Sequence, residues 1–475
     1  VIIFGAGEGG LVATRAFVRD AGTKYKILAF LDDDNTKVGK KLENIPIYST
    51  DKLENLLSTN QVAHLVLSTQ QISIERKNEI AELCLAYNTK ILEVPPLNRW
   101  INGELSFKQI RRINIEDLLG RATINIENEQ VRKLHSNKTI LITGAAGSIG
   151  SELVRQIATL PHKQIILVDQ AETPLFHLEL EMTAKFTNSN YKIFIADICN
   201  SLRIKKLFED YHPDIVYHVA AYKHVPMMES NPCESVYTNV KGTKIIADLA
   251  LEFDVEKFVM ISTDKAVNPT NVMGASKRIA EIYIQSLNFK NKTKFITTRF
   301  GNVLGSNGSV IPLFREQIEK GGPITITHPE VTRYFMTIPE ACQLVMEAGC
   351  MGKGGEIFLF DMGKSIKIID LAKKMIKLSS LTLGKDIQIV YTGLRPGEKL
   401  YEELLADKEN TIATHHPRIM IAKVIQNDPK IIEKCINELI DILKQNDNFL
   451  LVKKMKDIVP EFISKNSMFE KLDNN

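Results

Sequence analysis

Residues 139–150 read Thr-Ile-Leu-Ile-Thr-Gly-Ala-Ala-Gly-Ser-Ile-Gly, an apolar run that leads into a glycine-rich turn. Three glycines recur at every third position directly after the run. Glycine permits a tight turn and lets backbone N–H groups approach a pyrophosphate at the N-terminus of a helix. The stretch therefore predicts a strand, a turn and a helix that bind a dinucleotide. The predicted contacts on this turn are Gly144, Gly147, Ser148, Ile149 and Gly150.

The same kind of pattern begins a second time at the start of the chain. Residues 1–10 read VIIFGAGEGG, and Asp32 lies at the end of the next strand-like run. Strand-like runs alternate with amphipathic stretches almost throughout, which indicates parallel sheets with helices on both faces. We predict an α/β protein with two Rossmann-like, doubly wound, parallel-sheet domains in tandem. The second carries a small C-terminal substrate-binding subdomain.

Breaks in the pattern predict the domain boundaries. The first domain covers residues 1–96 and closes at Pro95-Pro96, a boundary signal. Residues 97–136 form a linker, residues 137–425 the catalytic domain, and residues 426–475 a C-terminal helical extension. Because no catalytic set follows the first fingerprint, we interpret the first domain as structural or regulatory and leave its ligand open.

Composition excludes several classes of function. The chain has 475 residues and a net charge of +3, from 60 basic and 57 acidic residues, which gives no reason to expect a nucleic-acid partner. The six cysteines are scattered, as in a reducing compartment, and the ten histidines show no metal-ligand spacing, so we expect no metal. No apolar run reaches membrane-spanning length, so we expect this chain to be soluble and cytoplasmic. It begins at Val1 inside a strand pattern, so we expect further residues upstream.

Residues at the ends of the later strands predict the cofactor. Asp169 ends the second strand of the unit, where a carboxylate suits the 2′-hydroxyl of NAD and repels the 2′-phosphate of NADP. Asp197 ends the third strand and could contact the adenine. Ala220 and Ala221 are predicted to end the fourth strand, where small side chains leave room for a cofactor. The expected cofactor is NAD rather than NADP.

Residues 262–277 read STDKAVNPTNVMGASK and carry the candidate chemistry. A hydroxyl, a carboxyl and an amine follow one another at Thr263, Asp264 and Lys265, after an apolar strand. Neighbouring side chains in a strand face opposite ways, so both ionisable groups can reach one ligand only if the strand has ended at Thr263. The sequence Val-Asn-Pro at 267–269 supports a loop there.

A helix should open at residues 271–277, which places Met273 and Lys277 on one face. The chain resembles the extended short-chain dehydrogenase/reductase superfamily, with methionine where its members usually carry a tyrosine. Within it, the chain is similar to the long, membrane-associated UDP-N-acetylglucosamine 4,6-dehydratases, which are polysaccharide biosynthesis proteins. The motifs are TGAAGSIG (143–150), HVAAYKHVPMMESNP (218–232), STDKAVNPTNVMGASKR (262–278), TRFGNVLGSNGSVIPLF (298–314), TRYFMT (332–337) and LRPGEKLYEEL (394–404).

This resemblance implies NAD-dependent removal of water from the sugar. Thr263 would bind the C4 oxygen, and Asp264 would act as the acid at C6, which requires a raised pKa. Lys265 would act as the base at C5, which requires burial or a nearby positive charge to lower its pKa. Lys277 would bind the nicotinamide ribose. Met273 has no proton to transfer, so Asp264, or Lys277 through a water, would deprotonate the C4 hydroxyl. In this family, methionine accompanies retention at C5.

The same motifs predict substrate contacts and partners. A UDP-sugar pyrophosphate favours arginine, and the candidates for this and the other substrate contacts are Lys223, Arg299, Asn302, Arg333, Arg395 and Glu398. The resemblance implies membrane helices ahead of the first domain, on the cytoplasmic side of the cell membrane, and we expect a homo-oligomer. The product would feed surface polysaccharide or glycan synthesis.

Two other functions remain open from the sequence. A UDP-N-acetylhexosamine 4-epimerase would need no acid–base pair at 264–265 and would normally keep the tyrosine. A catalytically silent NAD-binding scaffold would explain Met273 as lost chemistry, although the presence of Asp264, Lys265 and Lys277 argues against it.

Overall fold

The computed structural model describes residues 1–21, 25–69, 72–95, 105–119, 129–290, 292–403, 411–422 and 428–473. The predicted boundary residue Pro96, parts of the predicted linker and the last residue of the motif at 394–404 lie outside these ranges. The chain divides into two compact units. The first unit is Val1–Ala122, Leu313–Thr325 and Asp370–Val390, and the second is Thr123–Pro312, Ile326–Ile369 and Tyr391–Asn475. The division at 122–123 falls inside the predicted linker, but no pattern in the sequence predicted that two later segments group with the first unit.

The first unit is built on a mostly parallel sheet. Its central strand, Ile2–Phe4, pairs in parallel with Ala29–Asp32 on one side and His64–Leu67 on the other. Strand Arg111–Arg112 pairs antiparallel with Lys90–Glu93, so this part of the predicted linker belongs to the first sheet. The strands are Ile2–Phe4, Ala29–Asp32, Lys41–Leu42, Ile45–Ser49, His64–Leu67, Lys90–Glu93 and Arg111–Arg112; the helices are Glu8–Ala21, Leu53–Thr59, Ile74–Ala86 and Ile115–Leu119.

The second unit contains the larger sheet. Strand Thr139–Thr143 pairs in parallel with Gln164–Asp169 on one side and with Ile215–His218 on the other. The chain thus winds away from this strand in both directions, and ligands of such sheets bind where the strand order reverses. The sheet strands are Thr139–Thr143, Gln164–Asp169, Tyr191–Ile195, Ile215–His218, Lys257–Thr263, Lys294–Phe300, Ile357–Phe360, Thr411–Ala413 and Ile419–Ala422.

Helices cover this sheet and two short strand pairs complete the unit. Asn302–Val303 pairs with Phe335–Met336, and Thr332–Arg333 pairs with Ile366–Lys367. The helices are Glu129–His135, Ser148–Ala158, Glu172–Lys185, Ser201–Tyr211, Val225–Ser230, Pro232–Val236, Thr243–Glu252, Val272–Leu287, Ile338–Met351, Pro429–Ile442 and Asn448–Ile458, with a π-helical turn at Tyr237–Gly242. Elements that straddle the division are Val310–Glu319, Ile324–Ile326, Ile368–Leu378 and Ile389–Tyr391.

The predicted α/β class is confirmed, and the sequence explains the layers. The strands of both sheets are nearly continuous apolar runs because parallel sheets are covered on both faces. The two helices of the predicted extension are not separate from this core. Ile436 and Leu451 are fully buried in one cluster with Ile279 and Tyr283 of helix Val272–Leu287. No helix in the described ranges is both long and apolar enough to cross a bilayer.

Candidate active site

The predicted cofactor loop has a conformation that requires glycine. Gly144 has a φ of +66°, and a Cβ there would lie 2.7 Å from the amide nitrogen of Ala220. A Cβ on Gly150 would lie 2.0 Å from the carbonyl oxygen of Gly144. Gly147 precedes helix Ser148–Ala158, and the Ser148 hydroxyl accepts a hydrogen bond from the Asn307 amide at 3.1 Å. The predicted residues, including Ile149 in the first turn of the helix, thus share one turn at the switch point of the sheet.

The predicted carboxylates lie at the ends of neighbouring strands. Asp169 ends its strand, and its Oδ2 accepts a hydrogen bond from the Ala146 amide at 3.0 Å, so the carboxylate faces the glycine turn. Asp197 follows the strand Tyr191–Ile195 and accepts a hydrogen bond from the Cys199 amide. The expected strand ends were wrong for Asp197 and for Ala220 and Ala221. The strand before Asp197 ends at Ile195. The strand before the alanines ends at His218, because the backbone there turns toward Gly144.

The predicted catalytic residues lie at a sharp change of backbone direction. Thr263 is the last residue of its strand and Asp264–Ala266 form a 3₁₀ turn, so the strand ends where the sequence required. Helix Val272–Leu287 follows, capped by the Asn271 side chain. A Cβ on Gly274 would lie 2.1 Å from the Lys265 carbonyl oxygen, so only glycine lets the helix pack this closely on the turn.

Asp264 and Lys265 form an ion pair whose carboxylate is buried. The Asp264 side chain is fully buried, and its Oδ1 lies 3.0 Å from Lys265 Nζ and accepts a hydrogen bond from the Thr263 hydroxyl at 2.8 Å. Its Oδ2 has no hydrogen-bond partner in the described part of the chain. Lys265 also donates to Asn302 Oδ1 at 3.2 Å, which brings one predicted substrate residue into the pair. A buried carboxylate oxygen without a donor is costly unless a ligand supplies one.

The sequence did not single out Glu402, which completes this cluster. Its Oε1 lies 3.3 Å from Lys265 Nζ, and its side chain is 3% exposed. Burial alone would lower the pKa of Lys265, but the carboxylates of Asp264 and Glu402 outweigh burial and raise it. The expected lowering of the Lys265 pKa was therefore wrong, because a second carboxylate faces the amine. Glu402 lies in the motif at 394–404, which was the only available signal.

Met273 and Lys277 occupy one face of helix Val272–Leu287, called the catalytic helix after its predicted role. Met273 is buried in the first turn. Lys277 is also buried, and no hydrogen bond or ion pair to its amine is found among the described residues. Burial lowers the pKa of Lys277 to about 8, although Glu281 opposes the shift. This amine is therefore partly neutral near physiological pH.

Arg299 was predicted to bind the substrate pyrophosphate, and the structure contradicts this. The side chain is 2% exposed, and the guanidinium donates to both carboxylate oxygens of Glu281 at 2.8 and 2.7 Å. Glu281 also accepts from Arg278 at 3.2 Å. The bidentate geometry and burial identify Arg299 as part of an internal ion pair that joins the strand to the catalytic helix.

Arg333 and Glu398 also contact the protein rather than open space. Arg333 donates to the carbonyl oxygens of Thr332 and Lys399 at 2.7 and 2.9 Å and to Glu398 Oε1 at 3.1 Å. These contacts hold residues 398–400 against strand Thr332–Arg333, and the substrate contacts of Arg333 and Glu398 stay predictions. Arg395 is different, because its side chain is 57% exposed and its guanidinium lies 3.4 Å from the nearby carboxylate of Glu398. Lys223 is likewise exposed, after the strand Ile215–His218.

Residues 463–467 brace the start of helix Val272–Leu287. The amides of Ile463 and Lys465 donate to the carbonyl oxygens of Pro269 and Thr270 at 3.2 and 3.1 Å. Glu229 then links the two, since its carboxylate accepts from the Val272 amide at 2.6 Å and from the Ser467 hydroxyl at 2.8 Å. The position of Met273 and Lys277 therefore depends on residues far along the chain.

Comparisons with known proteins identify several relatives of this chain. Residues 140–424 match the sequence pattern of a family described as polysaccharide biosynthesis protein. The capsular polysaccharide biosynthesis protein CapD of Staphylococcus aureus is 42% identical over 96% of this chain and 76% of its own length. A UDP-glucose 4-epimerase of Rickettsia canadensis is 36% identical over 58% of this chain and 79% of its own length.

Solved structures resemble the part of the chain with the larger sheet. Pen from Bacillus thuringiensis is 36% identical, with a TM-score of 0.56, over 60% of this chain and 89% of that protein. A double mutant of DesIV from Streptomyces venezuelae, a dTDP-glucose 4,6-dehydratase solved with NAD and DAU bound, is 21% identical with a TM-score of 0.51. It covers 57% of this chain and 88% of that protein, and at this identity it supports the fold alone.

Proposed function

The chain belongs to the polysaccharide biosynthesis protein family, and from that membership we propose that it is an NAD-dependent 4,6-dehydratase of UDP-N-acetylglucosamine. Its product would be the 4-keto-6-deoxy sugar, used for surface polysaccharide or glycan synthesis. The observation that carries the proposal is the buried contact of 3.0 Å between Asp264 and Lys265. Elimination of water needs both an acid and a base at one sugar, whereas epimerisation at C4 does not.

The glycine turn fits the pyrophosphate of NAD. Gly144 and Gly150 leave no space for a Cβ, so only glycine allows the strand to turn this tightly into helix Ser148–Ala158. The N-terminus of that helix would bind the pyrophosphate. Asp169 would hold the adenine ribose and Lys277 the nicotinamide ribose. When bound, NAD would supply the oxidation of C4 to a ketone, which makes the neighbouring C5 proton removable, and the hydride that returns to C6 after water has left.

The charged state of Lys265 is compatible with its role as a base. One proton moved from Lys265 Nζ to Asp264 Oδ1 converts the ammonium and carboxylate into an amine and an acid, with no exchange with solvent. Lys265 then takes the C5 proton while Asp264 gives its proton to the departing C6 oxygen, which leaves as water. Elimination thereby restores the ammonium and the carboxylate. When the hydride adds to C6, Lys265 returns a proton to C5, and the proton released earlier from the C4 hydroxyl then recharges its amine, so the ion pair is the state between turnovers.

Deprotonation of the C4 hydroxyl needs another group, because the Met273 thioether has no proton to transfer. The sequence left Asp264 and Lys277 as alternatives. Lys277 is now the better candidate, acting through a water, because burial lowers its pKa to about 8 and it has no partner among the described residues. Thr263, whose hydroxyl contacts Asp264, would bind the C4 oxygen.

The test is incubation with UDP-N-acetylglucosamine and no added cofactor. A dehydratase with resident NAD yields a product lighter by one water, with a 4-keto chromophore, and proton NMR then gives its C5 configuration, expected to be retained. An epimerase yields UDP-N-acetylgalactosamine of unchanged mass, and a silent scaffold yields no product. Either of the last two results rejects the dehydratase. The homo-oligomer and the membrane-anchored full-length form stay predictions.

A further inference from the structure

Glu402 is a buried carboxylate that neither the predicted mechanism nor the predicted substrate site uses. Its Oε1 lies 3.3 Å from Lys265 Nζ and 3.7 Å from Arg333 Nε. Its Oε2 is buried and has no hydrogen-bond partner among the described residues. A carboxylate that is 3% exposed and only half satisfied is costly to keep, so its position beside the amine requires an explanation.

Charged groups face the Lys265 amine from three elements. Asp264 comes from its own turn, Glu402 from the segment after residue 391, and Arg333 from strand Thr332–Arg333. The neutral amide of Asn302 accepts from the amine at 3.2 Å. Two carboxylates therefore contact the ammonium directly, while the Arg333 guanidinium contacts the Glu402 carboxylate rather than the ammonium. Removing either carboxylate changes both the position and the charge balance of the amine.

We propose that Glu402 is a positioning residue that holds the Lys265 amine against Asp264 and sets the balance between the charged and neutral forms of Lys265. It acts through Lys265. Its negative charge stabilises the ammonium, so it opposes the proton transfer to Asp264 that precedes elimination. It also keeps the shared proton within the cluster as the pH rises. The consequence for rate rests on the proposed dehydratase function, whereas the consequence for the amine does not.

The first experiment measures the amine directly and needs no substrate. Competitive acetylation with acetic anhydride over a pH series, read at Lys265 by peptide mass spectrometry, gives the titration midpoint of that amine. Glu402→Gln removes the charge with almost no change in shape, and the midpoint should fall by about 1 to 3 pH units. Glu403→Gln is the matched control, since this exposed neighbour pairs with Lys399 and Asn268, and it should leave the midpoint unchanged.

An unchanged midpoint in Glu402→Gln overturns the proposal. If that variant does not fold, Glu402→Asp withdraws the charge by one methylene and must still lower the midpoint. The second experiment follows the rate of water loss against pH. Both limbs of the rate profile should shift to lower pH in Glu402→Gln, whereas a merely structural role would lower the rate without moving them. If the wild type releases no water, the dehydratase function fails and the labelling result still decides the role of Glu402.

Discussion

The two glycine-rich turns of this molecule share the same backbone features. Gly5 and Gly144 both have positive φ, of +102° and +66°. In each unit a carboxylate at the end of the second strand accepts a hydrogen bond from an amide of the turn. Asp32 accepts from Ala6 at 2.7 Å, and Asp169 accepts from Ala146 at 3.0 Å. The glycine pattern therefore specifies how a strand turns into a helix, and it does so equally in both units.

The turns differ in what surrounds them. In the first unit, Lys37 pairs with Asp32 at 3.2 Å, and the Ser68 hydroxyl donates to the carbonyl oxygens of Phe4 and Gly5 at 2.7 and 3.0 Å. In the second unit, alanine follows the corresponding strand, and a buried acid–base cluster lies after the next one. A fingerprint thus reports backbone geometry, while chemistry depends on the residues at the neighbouring strand ends. Three predictions test this difference.

The largest effect is expected from removing the lysine beside a carboxylate in each unit. Lys265→Ala should lower the rate of water loss by about 10²–10⁴-fold, the usual contribution of a positioned acid or base, while bound NAD is retained. Lys37→Ala removes the lysine beside Asp32 and should leave turnover within about twofold, since the first turn has no predicted chemistry. Mass spectrometry of the product gives both rates. Turnover near wild type in Lys265→Ala would exclude this lysine as the base.

A second prediction compares how one buried lysine in each unit, Lys277 and Lys77, affects the free energy of unfolding. Lys277 has its pKa lowered from 10.5 to about 8 by burial, so the unfolded chain binds its proton more tightly than the folded chain. Stability must therefore rise with pH between about 8 and 10.5. Lys277→Met should stabilise the nucleotide-free protein by about 3 kcal/mol at pH 7, and the gain should vanish near pH 10.5.

The corresponding substitution in the first unit should lower the stability of the protein rather than raise it. Lys77 is buried and pairs with Glu93 at 2.6 Å, so Lys77→Met breaks an ion pair and should destabilise by about 1 to 3 kcal/mol. Urea unfolding at pH 7 and at pH 10 measures both variants against the wild type. A loss of stability in Lys277→Met at pH 7 would show that the amine has a partner in solution.

The smallest effect is expected from the two carboxylates at the turns. Asp169→Asn should weaken NAD binding by about 10- to 100-fold, because a hydrogen bond to a charged group contributes about 1.5 to 3 kcal/mol. Asp32→Asn should leave the affinity for NAD unchanged, since Lys37 already neutralises that carboxylate. Isothermal titration with NAD on protein freed of nucleotide measures both. Equal weakening in the two variants would mean that the first turn also binds NAD.

Local patterns predicted the parts of the site that are local in the chain. The turn at 143–150, the strand end at Thr263 and the helix after Asn271 depend on glycines, apolar runs and a cap within a few residues. Such features are read from sequence because backbone geometry allows few alternatives.

The wrong predictions about side-chain roles involve partners on other elements of the fold. Arg299 was predicted to bind the substrate from its motif. Nothing in that motif indicates that Glu281, on another element, pairs with it. The pKa of Lys265 was expected to fall on burial, but it is raised because Asp264 and, from a different motif, Glu402 both place a carboxylate beside the amine. A motif shows which residue types are present, whereas the tertiary fold decides which of them meet, and that information is absent from a single stretch of sequence.

The brace formed by residues 463–467 has a practical consequence for anyone preparing this protein. Because backbone amides of that segment hold Pro269 and Thr270, a version shortened after helix Asn448–Ile458 would lose the support of helix Val272–Leu287. It would also lose the buried side chains of Val459, Phe462 and Phe469 from the core. Purification tags and crystallisation truncations should therefore leave this segment intact, or a poorly active preparation could be mistaken for an inactive enzyme.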